Sequence, residues 1–373
     1  MAIPIGFLRH NFLGRSETFI YNSMCALEAG GSYAVRVLAL RRVLSERFPW
    51  TDVTELGMLS RWLYRVTRLA PAFTRWARSV RLIHAQLGQA GPFAMAGAAV
   101  AGVPFVVSYY GHDVVLHHSN ERFQPFAWWY GLLRRRMFTR AAKIIVLSEA
   151  MRRALIAQGC SPDKLAIVRL GVDLDRFDVA RSPHRGPLRI LMVGREVDKK
   201  GFDDGLRACR ALQDRGTPCT VTLLGSEGPL ARKLRELARE LRLEVSWLDP
   251  ASSVVEAMAR ADVLLVPSRR AADGDEEGTP TVIVEGSAAR LPIVSTRHAG
   301  IPEQVADRVT GYLADERDPA GLAAALERLA RDPDHRSALG AAGREHMQRS
   351  YSLAAHRARL EAIYTTAIEE YAR

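Results

Sequence analysis

Short apolar runs alternate along the chain with longer amphipathic stretches, the pattern of α/β layers on a mainly parallel sheet. In the first half the apolar runs predict strands over 3–8, 35–40, 82–85, 105–109, 143–147 and 165–169. Helical periodicity falls between them, over 17–29, 92–101 and 149–158. The stretch 171–187 breaks this rhythm with Asp173, Asp175, Ser182, Pro183, Gly186 and Pro187, as an interdomain linker does. A second series predicts strands over 189–193, 220–224, 244–247, 263–266 and 293–295, with helices over 228–241, 320–331, 335–349 and 353–371. The expected organisation is two Rossmann-like domains facing one another across a central cleft: 1–175, a linker at 176–187, and 188–350. The last helix, 351–373, is expected to rejoin the first domain. Open parallel sheets take ligands beyond the carboxyl ends of their strands, so chemistry is sought there.

Composition adds bounds. A length of 373 residues exceeds one comfortable core, and 48% hydrophobic with 25% charged residues is an ordinary globular balance. No apolar run reaches the length of a membrane-spanning helix. The opening MAIPIGFLRHNF reads as a strand and lacks a signal-peptide layout. Cys25, Cys160, Cys209 and Cys219 are scattered without metal-ligand spacing, so a reduced cytoplasmic protein without a structural metal is expected. The net charge of +11 is compatible with nucleic acid, an anionic membrane surface or phosphorylated substrates, and equally with a generally Arg-rich composition.

The strongest chemical signal is Glu277-Gly-Thr-Pro-Thr-Val-Ile-Val-Glu285. With Pro280 in the first turn of a helix, Glu277 precedes the N-terminus and Glu285 lies about one turn inside. The free N–H groups around Gly278, Thr279 and Pro280 then favour an anion such as a diphosphate. Carboxylates suit sugar hydroxyls, because an ionised acceptor binds O–H donors strongly. A capping Glu277 and an exposed Glu285 account for the bare spacing equally well. The segment Val193-Gly194-Arg195-Glu-Val-Asp-Lys-Lys200-Gly201-Phe202 changes that balance by adding a strand end, a glycine turn and two cations. Fixed cations stabilise the charge that develops when a nucleoside diphosphate leaves.

Together these motifs resemble the family 4 retaining glycosyltransferases of the GT-B fold. The resemblance rests on the Gly194-Arg195…Lys200-Gly201 turn, the paired glutamates at 277 and 285, and Ser295-Thr-Arg-His-Ala-Gly300-Ile-Pro-Glu303. It implies that Arg195 and Lys200 hold the donor diphosphate, that Glu277 contacts the transferred sugar and that Glu285 contacts the ribose. It spans nearly the whole chain but is looser in the first half. There Arg15-Ser16-Glu17-Thr18-Phe19-Ile20 resembles the opening segment of polysaccharide-type members, with Gly14 letting the backbone approach the donor. An ordinary capped helix explains that segment as well. His84, at another strand end, reads as structural.

Many members carry His-Gly-x-Asp where this chain has Tyr110-Gly111-His112-Asp113. Either Tyr110 takes over the sugar contact, or His112 reaches it by a shifted loop, or neither does; Asp113 is a further candidate contact. His298 and Gly300 lie on a turn after a strand, where a surface histidine competes with a role beside the donor sugar or acceptor.

Between Arg61 and Arg81 stand six arginines and no acids, with Trp62, Val66, Leu69, Phe73, Trp76 and Val80 on one helical stripe that Pro71 would kink. Trp128-Trp129-Tyr130 precede Arg134-Arg135-Arg136 and Arg140. A cationic, tryptophan-bearing surface suits an anionic inner leaflet; packing of the stripes into the first domain explains them as well. The expected enzyme is a metal-independent retaining hexosyltransferase using a UDP- or GDP-sugar, without cofactor, on a saccharide or lipid-linked acceptor. It would be cytoplasmic, with peripheral membrane association as an added reading. A catalytically silent sugar-nucleotide or polysaccharide binding protein is the rival from another class. A basic nucleic-acid-binding protein is a weaker one, since no recognised module is present.

Overall fold

The computed structural model describes the chain apart from residues 1, 15–16, 59, 61–69, 116–124, 180–183, 185, 226–227 and 250–251, and the side chains of 112 and 125–129. The chain forms two compact units, Met1–Gly171 with Leu353–Arg373, and Val172–Ser352.

The first unit is built on β1 (Ile3–Phe12), β2 (Tyr33–Arg42), β3 (Val53–Glu55), β4 (Leu82–Gln86), β5 (Phe105–Ser108), β6 (Lys143–Val146) and β7 (Leu165–Ile167). They form one parallel sheet in the order β3-β2-β1-β4-β5-β6-β7. Side chains alternate across it, as the strand period requires. Ile5 and Phe7 join Val35 and Val37 on one face, while Leu8 joins Leu38 and Leu40 on the other. The first face is covered by helices Thr18–Ala29 and Leu353–Ala372, through Ile20, Met24, Leu360 and Tyr364. The second is covered by helix Gly91–Ala101, through Phe93, Ala94 and Ala98.

β1 runs four residues beyond the predicted stretch, because its polar end still pairs with β2 as far as Phe12 opposite Arg42. Pro71 does not kink a long helix, as expected from the stripe. It opens a short one, Pro71–Ala77, after an extended Ala70, where a missing N–H costs nothing. Phe73, Trp76 and Val80 are buried in the core, so this part of the stripe packs inward. Trp62, Val66 and Leu69 lie outside the described residues.

The second unit holds β8 (Leu188–Val193), β9 (Cys219–Leu224), β10 (Val245–Leu248), β11 (Val263–Val266), β12 (Ile293–Thr296) and β13 (Gly311–Ala314). Their order is β10-β9-β8-β11-β12-β13, all parallel, with the direction of winding reversing between β8 and β11. Ile190, Met192, Leu265 and Val294 face one core layer; Leu191, Leu264, Val266 and Ile293 face the other. Val172 bridges to Ser352, and the turn Asp175–Phe177 buries Phe177 in the second layer. Among the described residues no helix is long and apolar enough to cross a membrane.

Candidate active site

The second unit gathers its charges at the carboxyl ends of β8, β11 and β12. Leaving β8, the chain turns at Gly194, whose φ of 151° lies in a region that side chains avoid. A single 3₁₀ turn, Asp198–Lys200, follows and ends at Gly201 with φ 60°. A Cβ on Gly201 would stand 2.0 Å from the Pro267 carbonyl oxygen, so only glycine lets the loops after β8 and β11 touch. The turn is fastened from the β11 side. Arg269, 7% exposed, reaches Asp198 at 2.6 Å, Asp203 at 3.0 Å and Asp204 at 2.6 Å. Its N–H also donates to the Lys199 carbonyl. Buried charge of this kind persists only when each partner is satisfied.

This anchoring presents Lys200 to Glu277. Lys200 Nζ stands 3.0 Å from Glu277 Oε1, with both side chains largely buried. Burial opposes ionisation of Glu277, but Lys200 and Lys199 outweigh it and hold the carboxyl below its ordinary range. Lys199 makes the neighbouring pair with Asp275 at 2.9 Å. Arg195 is exposed and forms no ion pair among the described residues. The cations expected on the diphosphate therefore differ: Lys200 is already paired with Glu277, whereas Arg195 forms no ion pair among the described residues.

Helix Thr281–Ala288 begins after Pro280, which occupies the cap position with extended backbone. Its N-terminus follows Gly278 and Thr279, and Thr279 Oγ1 is buried without a hydrogen-bond partner. Glu285 sits one turn inside. Burial pushes its carboxyl up to about 7, with Arg176 and Lys200 pulling the other way. Two carboxylates eight positions apart thus titrate oppositely, one held ionised by lysines and one brought near neutrality.

His298 is not a surface residue: it is 1% exposed. The Glu277 N–H donates to its Nε2 at 3.1 Å, so the ring proton sits on Nδ1 and is donated to Glu316 Oε1 at 2.6 Å. Sequence reasoning missed Lys199, Arg269, Glu316 and Arg176. An arginine three positions after the apolar β11 run was a readable signal for Arg269. Glu316 carried none.

Residues 176–346 match the model described as Glycosyl transferases group 1, and residues 16–176 match Glycosyltransferase Family 4. The chain is 31% identical over 310 residues to the GDP-mannose-dependent alpha-(1-6)-phosphatidylinositol monomannoside mannosyltransferase of Mycolicibacterium smegmatis, covering 75% of this chain and 78% of that one. The chain belongs to the family 4 glycosyltransferases. It is an enzyme of the hexosyltransferase type. The glycosyltransferase is also 29% identical to the putative colanic acid biosynthesis glycosyltransferase WcaL of Salmonella typhimurium, over 98% of this chain and 100% of the relative. Its fold is GT-B: it superposes on the crystal structure of Anabaena Alr3699/HepE in complex with UDP and glucose with a TM-score of 0.77. That match is 18% identical and covers 98% of this chain and 100% of the other.

The glycosyltransferase has a second polar cluster where the first sheet changes winding, at the ends of β1, β4 and β5. Arg9 donates to the Gln86 carbonyl at 2.6 Å and pairs with Glu17, whose other oxygen accepts from the Gly14 N–H at 2.7 Å. The Tyr110 hydroxyl donates to Gln86 Oε1. Asp113, expected as a sugar contact, is buried and accepts from the N–H groups of Gly88, Tyr110 and Gly111 at 2.9–3.0 Å. It holds the loop in shape. His112 opens the four-residue helix His112–Val115; its side chain, like Arg15 and Ser16, lies outside the described residues. His84 is a structural residue: buried, it bonds Tyr364 Oη at 2.6 Å and Ser108 Oγ at 2.7 Å, and burial lowers its pKa to about 3. A cavity of about 360 Å³ in the first unit opens at the opposite strand ends, beside Phe105, Ala142 and Lys164, away from this cluster.

Proposed function

We propose that the enzyme transfers a sugar from a nucleoside diphosphate sugar to a saccharide or lipid-linked saccharide acceptor, with retention, in the synthesis of a surface polysaccharide. The observation that carries this reading is the Lys200–Glu277 pair at 3.0 Å, set beside the N-terminus of helix Thr281–Ala288. Arg195 and Lys200 neutralise the leaving diphosphate, and the helix N-terminus adds N–H donors. Glu277, kept ionised, accepts hydrogen bonds from the sugar; Glu285 accepts from the ribose. The C1–O bond to phosphate breaks as the C1–O bond to the acceptor forms on the same face. The acceptor's proton passes to the departing phosphate. Two protein cations at the diphosphate make the reaction independent of a divalent metal in this reading. The acceptor class rests on the colanic acid biosynthesis relative. The UDP of the solved neighbour and the GDP-mannose of the mannosyltransferase relative supply the two bases to try. The surface of arginines at 134–136 and 140 suits an anionic leaflet.

A panel of UDP-, GDP- and ADP-sugars, scored for slow donor hydrolysis with and without EDTA, tests the proposal. Hydrolysis of one donor class that EDTA leaves unchanged is expected. Hydrolysis that stops with EDTA would refute metal independence, and no thermal stabilisation by any nucleotide would refute the donor class.

A further inference from the structure

We infer that His298 and Glu316 are positioning residues that set where the Glu277 carboxylate stands, an inference that rests on Glu277 contacting the transferred sugar. Glu277 ends an irregular acidic loop after β11, and nothing in a strand ladder fixes its backbone. Its N–H is instead captured by His298 Nε2 at 3.1 Å. His298 comes from a different strand end, after β12, and is held by Glu316 at 2.6 Å from the segment after β13. The other oxygen of Glu316 accepts from the Arg270 N–H at 2.9 Å. One carboxylate therefore fastens both ends of the loop: the start at Arg270 directly, the end at Glu277 through the imidazole.

The backbone around His298 is shaped for this task. Ala299 adopts a φ of 45°, a left-handed conformation that alanine takes only when its surroundings enforce it. The result is a buried imidazole with one ring nitrogen aimed at a loop N–H. A neutral ring with its proton on Nδ1 satisfies both bonds, and no other protonation state does. His298 and Glu316 reach the reaction only through Glu277. A carboxylate displaced by a fraction of an ångström loses contacts made in the transition state, while diphosphate binding by Arg195 and Lys200 is untouched.

The test is a kinetic cycle on the full chain, using whichever of UDP-glucose and GDP-mannose the unsubstituted enzyme turns over, with calorimetric titration of the matching diphosphate. His298→Phe is expected to lower kcat about tenfold or more, leaving donor KM and diphosphate Kd within about twofold. His298→Gln, whose amide oxygen reaches the Nε2 position, restores most of the loss. Placed on Glu277→Gln, the His298→Phe change alters kcat by less than about threefold, because the two act as one unit. Glu316→Gln gives a smaller loss of kcat of the same kind, and it serves should His298→Phe not fold. Full kcat in folded His298→Phe, or an equal loss with and without the Glu277 carboxylate, overturns the inference. A fully active Glu277→Gln protein instead overturns the sugar contact itself, a distinct outcome.

Discussion

The two units wind their sheets alike, yet their switch points are built on different electrostatics. In the first, the charged groups of the cluster among the described residues meet partners of the same unit: Arg9 pairs with Glu17 and donates to the Gln86 carbonyl, and Asp113 accepts from three N–H groups, while the Tyr110 hydroxyl donates to Gln86. In the second, Arg195 is exposed, Glu285 is brought near neutrality, and Glu277 is held ionised by lysines beside a helix N-terminus. A closed network fixes the shape of a loop. An open, unevenly charged one has free energy of interaction left for a ligand. The same parallel-sheet topology thus carries a closed polar network at one switch point and, as proposed, a ligand site at the other, and the side chains decide which.

The comparison breaks most visibly at Glu277. Glu277→Gln is expected to lower kcat about a hundredfold while diphosphate affinity changes little, measured by donor turnover and calorimetry. The matching change in the first unit, Asp113→Ala, should act on stability. It strands three backbone donors and is expected to cost about 2 kcal/mol in denaturant unfolding, with donor affinity unchanged. A loss of turnover at constant stability would place Asp113 among the functional groups after all.

Acid separates the units next. His84 and His356 are buried neutral, with burial lowering their pKa values to about 3 and about 4. Each binds its proton more readily unfolded, at the ordinary value of 6.5. The first unit therefore loses stability as pH falls below that value; among the described residues Asp113, raised by burial, acts against this. Glu285 has the opposite sign. Its folded value of about 7 lies above the unfolded 4.5, so the second unit gains stability as pH falls through that window. The depressed carboxyls of Glu277 and Asp262 cost the second unit stability only below the ordinary carboxylate values. Hydrogen exchange between pH 7 and 5 should show peptides of the first unit opening and those of the second tightening. If Glu285 contacts the ribose as proposed, diphosphate affinity should weaken over the same range as its carboxyl protonates, and Glu285→Gln should flatten that dependence.

The smallest expected effect is Tyr364→Phe, which removes the hydroxyl bonded to His84 and should cost about 1 kcal/mol. A larger loss, or one felt by the second unit's peptides, would show that the C-terminal helix supports more than the first unit.

Much of this was legible beforehand. Apolar runs located the strands whose residues are buried on both faces, such as Leu264 and Leu265. The glycine turn at 194 and the glutamates at 277 and 285 were readable because glycine and carboxylate each have few roles at a strand end or helix start. β3 and β13, with three and four residues, were too short to show a period. Pro71 was misjudged because a proline inside an apolar stripe either kinks a helix or begins one, and local spacing does not choose. His298 was readable as a candidate, but its bonds to Glu316 and to the Glu277 N–H were not: each joins the ends of different strands, a proximity set by sheet order alone.

The proposed diphosphate site of the second unit rests on Arg195 and Lys200, with Glu277 beside them. Calorimetric titration of UDP and GDP into the unsubstituted protein, Lys200→Ala and Arg195→Ala tests it most directly. One diphosphate should bind the unsubstituted protein, and each substitution should weaken it about tenfold or more, about 1.4 kcal/mol. Equal affinity in all three proteins, or no binding of either diphosphate to the unsubstituted chain, would contradict it.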